Sequence, residues 1–154
     1  MINIEDLRIG DLVQVGKDCT FPKGTLCIVT DIHSDGIVNE KKGIVGLRAA
    51  NCDNDGPEIW CCNCNVEGVP ITPEMLRNNG FKEEVGGKCY TMPIADRAEN
   101  YFVRYLAVER GKYVWPVFIK YYNVNGYALL RKIKYVHELQ HIFMIVKINP
   151  EMKV

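Results

Sequence analysis

The chain has 154 residues, 47% hydrophobic and 25% charged, which suits one ordinary domain or two small ones and excludes a disordered or fibrous protein. The net charge is zero, yet residues 1–100 hold 10 basic against 16 acidic residues (−6), and residues 101–154 hold 9 against 3 (+6). The basic residues are dispersed, so we interpret this imbalance as ordinary solvated charge rather than as the footprint of a nucleic acid. No apolar run reaches the roughly 18 residues of a membrane-spanning helix, and we expect no membrane association.

The sequence lacks several motifs that are typical of particular enzyme classes and of secreted proteins. Serine occurs only at Ser34, so there is no Gly-x-Ser-x-Gly nucleophile elbow, and neither common phosphate-binding glycine motif is present. Acidic Glu5, Asp6 and Asp11 stand where a secretory signal would need a basic end and an apolar run. We therefore predict a cytoplasmic protein whose seven cysteines are reduced thiols.

The first predicted elements are short strands over residues 11–15, 26–32, 43–49 and 58–66, separated by turns rich in Gly, Pro and Asp. Spacings near ten residues predict a small β-barrel-like domain over 1–68. The stretch "GDLVQV…FPKGTLCIVTDI" resembles the opening of a Src-homology-3-type barrel, in which Gly24 would permit a tight approach to the second strand. Such a resemblance concerns the fold and implies no function.

The cysteines of "WCCNCN" allow two interpretations. Cys61 and Cys64 have the spacing of a zinc knuckle, but the sequence offers no second pair to complete four ligands. Strand alternation instead places Cys62 and Cys64 beside Trp60 on an apolar face, with Cys61 on the opposite face. We favour buried, structural cysteines over a metal or catalytic site.

Residues 69–154 form the second predicted domain, of α+β class. Thr72 as N-cap, Pro73 and Gly80 predict a short linking helix over 73–79. Aromatic and β-branched segments from about 88 to 134 predict an antiparallel β-meander with Pro116 at an edge or a bulge, although 95–110 also fits a helix. An amphipathic helix over about 135–147 closes the chain.

The last helix contains a His-Glu-x-x-His motif. His137 and His141 lie four residues apart, so both could ligate one zinc ion, and Glu138 could act as the general base. The alternative function is therefore a zinc-dependent metallohydrolase that uses these three residues. The third ligand is missing from the expected downstream positions, which leaves His33, Cys89 or an upstream carboxylate as candidates.

Helical phase argues against that alternative. Val136, Leu139 and Phe143 belong to an apolar arc that should face the core, whereas His137 and His141 lie almost opposite. We therefore expect His137, Gln140 and His141 to face solvent or a partner, as a binding surface without a cofactor.

Three stretches, "LRIGDLVQVGKDCTFPKGT", "VPITPEMLRNNGF" and "KYVHELQHIF", resemble a group of short proteins from gut anaerobic bacteria and their phages. The resemblance implies an Ile/Val-Pro-x-Thr-Pro-Glu helix, a β-rich segment and a terminal Tyr-Val-His-x-Leu-Gln helix. It implies a phage or mobile-element origin but no activity.

Our hypothesis is a non-enzymatic interaction module with an unknown protein partner. A nucleic acid bound by basic residues and neighbouring tyrosines is a further alternative, with the basic set being Lys120, Arg131, Lys132 and Lys134.

Overall fold

The structure is a computed structural model that describes residues 2–17, 19–38, 41–52, 56–62, 65–84, 86–94, 104–121 and 126–153. The fold consists mostly of two antiparallel β-sheets with two α-helices, an α+β architecture. The chain divides into two compact units, Met1–Pro70 and Ile71–Val154. In the described part of the chain, no helix is both long and apolar enough to cross a membrane.

The first unit contains a 3₁₀ turn at Ile4–Asp6 and a five-stranded sheet in the order β4-β3-β2-β1-β5. Its strands are β1 (Leu12–Val15), β2 (Leu26–Val38), β3 (Lys41–Ala49), β4 (Glu58–Cys62) and β5 (Val66–Gly68). Gly24 has φ +86° in the turn between β1 and β2, a conformation that glycine adopts without strain, and its N–H donates to the Val15 carbonyl. Alternate residues of the strands, such as Val13 and Val15, enter one buried apolar cluster.

The cysteines of the first unit differ from the prediction. Cys19 and Cys61 form a disulfide with a Cα–Cα distance of 6.3 Å, so the expectation that all thiols are reduced is wrong. Trp60 is exposed, whereas Ile59 and Cys61 pack against the core, so the predicted faces of Trp60 and Cys61 are wrong. The register Val45↔Cys61 explains this, because it places Cys61 opposite a fully buried valine. Cys62 is buried, as predicted. The predicted position of Cys64 lies outside the described residues.

The second unit contains a five-stranded antiparallel meander in the order β10-β9-β8-β7-β6. Its strands are β6 (Lys82–Glu83), β7 (Cys89–Ile94), β8 (Arg104–Glu109), β9 (Trp115–Tyr121) and β10 (Tyr127–Ile133). The predicted meander is confirmed, and the end of the alternative helix over 95–110 is a strand from Arg104 onward. The beginning of that segment, 95–103, lies outside the described residues.

Side-chain alternation divides the second sheet into a buried face and an outer face. The buried face carries Tyr90, Leu106, Val108, Val117 and Ile133, each at most 1% exposed. The outer face carries Pro93, Tyr105, Lys120 and Tyr127, which follow one another across the registers of four strands. Pro116 lies beyond the last β8–β9 pair, where a missing N–H breaks no ladder on that side.

Both predicted helices are present. Helix α1 spans Pro73–Asn78, and the Thr72 hydroxyl accepts from the Met75 N–H at 3.2 Å, as an N-cap should. Helix α2 spans Val136–Ile145. Each helix ends in a Schellman motif, in which the N–H of Phe81 donates to the Leu76 carbonyl and that of Ile148 to the Phe143 carbonyl.

Candidate functional site

Helix α2 is more deeply buried than its phase predicts. Val136, Leu139 and Phe143 are buried as expected. His137 and Gln140, however, are only 2% and 3% exposed, and His141 is 9% exposed. The prediction that these three residues form an open, solvent-facing surface is therefore wrong.

The C-terminal tail gives the physical reason. The Gln140 side-chain amide donates to the Pro150 carbonyl at 3.1 Å, so the chain after α2 returns over the polar side of the helix. The tail is fastened further along, where the Asn79 side chain exchanges two hydrogen bonds of 2.7 and 2.8 Å with the backbone of Lys153. His137 meanwhile stacks on the Tyr135 ring, with a centroid distance of 5.7 Å. These contacts cover the side of α2 that the sequence leaves polar.

Glu138 caps the helix to which it belongs. Its Oε2 accepts from the N–H groups of Lys134 and Tyr135 at 2.6 and 2.9 Å, and its Oε1 lies 3.6 Å from the Arg131 guanidinium. A glutamate at the third helical position commonly reaches back in this way to satisfy N–H groups that no helical carbonyl can reach. The Glu138 carboxylate is therefore occupied by contacts at the N-terminus of the helix rather than placed to act as a general base.

The candidate zinc ligands are distributed as follows. The His137 and His141 rings meet edge to face with a centroid distance of 5.9 Å. His33 belongs to β2 and contacts Asp31 and Trp60, whereas Cys89 belongs to β7 and contacts Lys120. Within the described ranges, no group of three or more His, Cys, Asp or Glu side chains is arranged to hold a metal ion.

Strand β10 carries three of the exposed large apolar residues of the second unit, and the others described lie before β9, at its end and at the end of α2. Six of the seven residues of β10 are exposed and only Ile133 is buried. Tyr127 is 71% exposed, Leu129 52% and Leu130 40%, values that are high for large apolar side chains. We call this strand the β10 edge surface, which consists of Tyr127, Leu129, Leu130, Arg131 and Lys132.

The backbone of β10 pairs with β9 along one side. Among the described residues β10 pairs only with β9, so it forms the edge of the sheet. The Tyr121 N–H donates to the Gly126 carbonyl, which makes these two residues a hydrogen-bonded pair. Because such pairs alternate along an antiparallel ladder, the N–H and C=O groups of Tyr127 and Leu129 point away from β9. A register shift between Leu129 and Arg131 limits this regular segment to the start of the strand.

The charges around the β10 edge surface are mainly positive. Arg131 and Lys132 are exposed on the strand itself, and Lys120 lies opposite Tyr127 on β9. Partial burial alone would lower the pKa of Lys120, but the neighbouring Cys89 and Glu84 raise it, so the ammonium is charged at neutral pH. Glu138 is the acidic group that contacts Arg131.

Sequence reasoning identified the basic residues of this surface but not its apolar ones. Leu129 and Leu130 are leucines in a predicted strand, and such residues are normally assigned to the core. The signal for exposure is the run "LLRK", where two consecutive leucines precede two consecutive charges and no single face can bury both leucines.

Comparison of the chain with family models, curated proteins and solved structures finds no match to any of them.

Proposed function

We propose that the protein is a non-enzymatic interaction module that binds an extended, acidic segment of another protein along the β10 edge surface. The single observation that carries the proposal is an edge strand with exposed apolar side chains and outward-pointing backbone groups. A segment added to such an edge gains backbone hydrogen bonds, while its alternate side chains gain apolar contacts.

Charge complementarity indicates which kind of segment binds the β10 edge surface. Arg131, Lys132 and Lys120 place three positive charges along or beside the strand, and Glu138 and Glu84 offset two of them, which leaves a net positive charge. Natural edge strands carry such charges partly to repel similar edges. Two copies of β10 placed side by side would bring two net positive surfaces together. An acidic segment instead pairs with the positive charges, and electrostatic attraction also accelerates its association.

The experiment uses two synthetic peptides of about eight residues, the length of an ordinary strand. One alternates Glu with Val, and the other alternates Lys with Val. Binding to the full chain is measured by fluorescence anisotropy at low and high salt. We expect the acidic peptide to bind and to weaken as salt rises, since screening reduces the attraction, and we expect the basic peptide not to bind.

Variants of one residue separate backbone recognition from side-chain contact. Leu129→Pro removes an outward N–H without removing a β9–β10 hydrogen bond, so the sheet should persist while peptide affinity falls at least tenfold. Leu129→Ala keeps the N–H and should lose less affinity than Leu129→Pro. Lys132→Gln should weaken the acidic peptide, and Lys112→Gln, which neutralises a lysine outside the surface, serves as the matched control.

Other outcomes would contradict the proposal. Equal binding of both peptides, or binding that Leu129→Pro leaves unchanged, shows that strand addition is not the mode. Self-association that strengthens with salt would identify a second copy as the occupant. Binding of oligothymidine that exceeds that of the acidic peptide would identify a nucleic acid, through the basic set that includes Lys134.

We also propose a barrel fold for the first unit and a phage or mobile-element origin for the protein. The strand β5 returns to pair with β1, an order that supports a small barrel of the Src-homology-3 type. Kinship with the short proteins of gut anaerobic bacteria and phages rests on the three sequence stretches alone. Cytoplasmic localisation is opposed by the Cys19–Cys61 disulfide, because disulfides are rare in reducing compartments.

The zinc-hydrolase alternative has its own direct test. The rings of His137 and His141 are neighbours on α2. A catalytic role for Glu138 would require its carboxylate to give up the hydrogen bonds that it accepts from the Lys134 and Tyr135 N–H groups. Metal analysis of untagged protein grown with zinc distinguishes the two hypotheses. About one zinc per chain, lost in the double variant His137→Ala/His141→Ala, would support the hydrolase and contradict a purely non-enzymatic module.

A further inference from the structure

A cavity of about 330 Å³ opens on the second unit and is lined by Glu84, Thr91, Tyr105, Lys120 and Tyr121. Its volume falls at the lower end of the range typical of small-molecule sites, roughly 300–1,000 Å³. Four of the five lining residues come from the regular strands β7, β8 and β9, and Glu84 follows β6. The sheet therefore holds the cavity walls in fixed positions, which favours a preformed site.

Opposite charges line this cavity. The Lys120 ammonium lies 3.6 Å from the Glu84 carboxylate and 3.5 Å from the Cys89 sulfur. Burial raises the pKa of the Cys89 thiol despite the opposing effect of Lys120, so this sulfur is a neutral neighbour. The ionic lining thus consists of one cation and one anion that are both partly accessible, with side-chain exposures of 33% and 46%.

We propose that the cavity binds a small zwitterion of the α-amino-acid class, with its carboxylate on Lys120 and its ammonium on Glu84. Lys120 also lies beside the β10 edge surface, opposite Tyr127, but the cavity includes no residue of β10 and the proposal does not depend on peptide binding there. A bound zwitterion lies beside the Lys120–Glu84 pair, so that each of the two protein charges gains an opposite charge of the ligand. The ligand dipole then lies antiparallel to the dipole of the protein pair.

The spacing of the charges fits this class. The nitrogen and the carboxyl carbon of an α-amino acid lie about 2.5 Å apart, as backbone bond lengths and angles require. Lys120 Nζ and Glu84 Oε2 are 3.6 Å apart, so one ligand can contact both. A simple anion would meet the Glu84 carboxylate and a simple cation would meet Lys120, and each would leave one charge desolvated without a partner.

The neutral lining residues have matching roles. The rings of Tyr105 and Tyr121 offer apolar walls for a side chain and a π-face for an ammonium group. The Thr91 hydroxyl can donate to a carboxylate or accept from an ammonium group. A ligand with so few atoms cannot bind tightly, and we expect dissociation constants in the range of about 0.1–1 mM.

The test uses the twenty protein amino acids as probes, each at about 10 mM, above the expected dissociation constants. Binding to the full chain is followed by ¹⁵N chemical shifts, with isothermal titration of the best binder. We expect saturable shifts at Thr91, Tyr105 and Lys120. For that binder, the N-acetyl derivative lacks the ammonium and the carboxamide lacks the carboxylate, so each should bind at least tenfold more weakly.

Matched variants locate the site. Lys120→Gln and Glu84→Gln should each weaken the best amino acid at least tenfold, whereas Lys82→Gln and Glu83→Gln, in the short strand before Glu84, should leave it unchanged. Leu129→Pro should also leave it unchanged, which separates this test from that of the β10 edge surface. The proposal is overturned if no amino acid gives saturable shifts, if the N-acetyl or amide derivative binds as well as the parent, or if Lys120→Gln and Glu84→Gln are without effect.

Discussion

Lys147 adopts a backbone conformation that glycine would adopt at lower energy. It has φ +59° two residues after the end of α2, the position at which Gly80 with φ +86° follows α1. Both helices end in the same hydrogen-bond pattern, so the backbone conformations of Lys147 and Gly80 can be compared directly. A β-carbon in this left-handed region costs about 1 kcal/mol.

Lys147→Gly should therefore raise the free energy of unfolding by up to about 1 kcal/mol, less the extra flexibility that glycine gives the unfolded chain. The converse change, Gly80→Ala, should lower it by a similar amount. The nearest atom to a β-carbon at Gly80 is the Met92 sulfur at 4.0 Å, so the loss would be conformational rather than steric. Urea denaturation measures both, and a destabilised Lys147→Gly variant would show that the lysine side chain makes an essential contact.

Within α2, Glu138 stabilises the first turn of the helix. Glu138→Ala removes the acceptor of two N–H groups and should cost about 1 kcal/mol of unfolding free energy. Glu138→Gln keeps an oxygen acceptor and should cost about half as much. If both variants unfold like the wild type in urea, the carboxylate does not cap the helix and the argument against its role as a base loses its support.

The elements also show which features the sequence determines locally. Thr72, Pro73 and Gly80 define α1 because capping requires only neighbouring residues. The burial of His137 and Gln140 depends on a tail that returns at Pro150, and helical phase contains no information about that contact. Strand β6 has two residues, too few for alternation to be recognised, and the β10 bulge places Leu130 in a register that no periodicity predicts.

At the scale of the whole molecule, the long-range link is the disulfide of the first unit. Cys19 and Cys61 are separated by 42 residues, and closing a loop of that size removes conformational freedom from the unfolded chain. Reduction with dithiothreitol should lower the stability of the first unit by about 2–4 kcal/mol. A double Cys19→Ser/Cys61→Ser variant should show no response to the reductant, whereas Cys52→Ser, at an exposed free thiol, should respond as the wild type does. If dithiothreitol left the thermal unfolding of the wild-type chain unchanged, the stabilising role of the Cys19–Cys61 disulfide would be contradicted.

The central claim, that β10 receives an extended acidic segment, has one decisive measurement. Amide hydrogen exchange is followed residue by residue with and without the Glu-Val peptide. We predict that the outward amides of Tyr127 and Leu129 exchange rapidly in the free protein and slowly in the complex, while the inward amide of Ala128 is protected in both. Unchanged exchange at Tyr127 and Leu129 in a peptide-saturated sample, or protection confined to His137, Gln140 and His141, would contradict the claim.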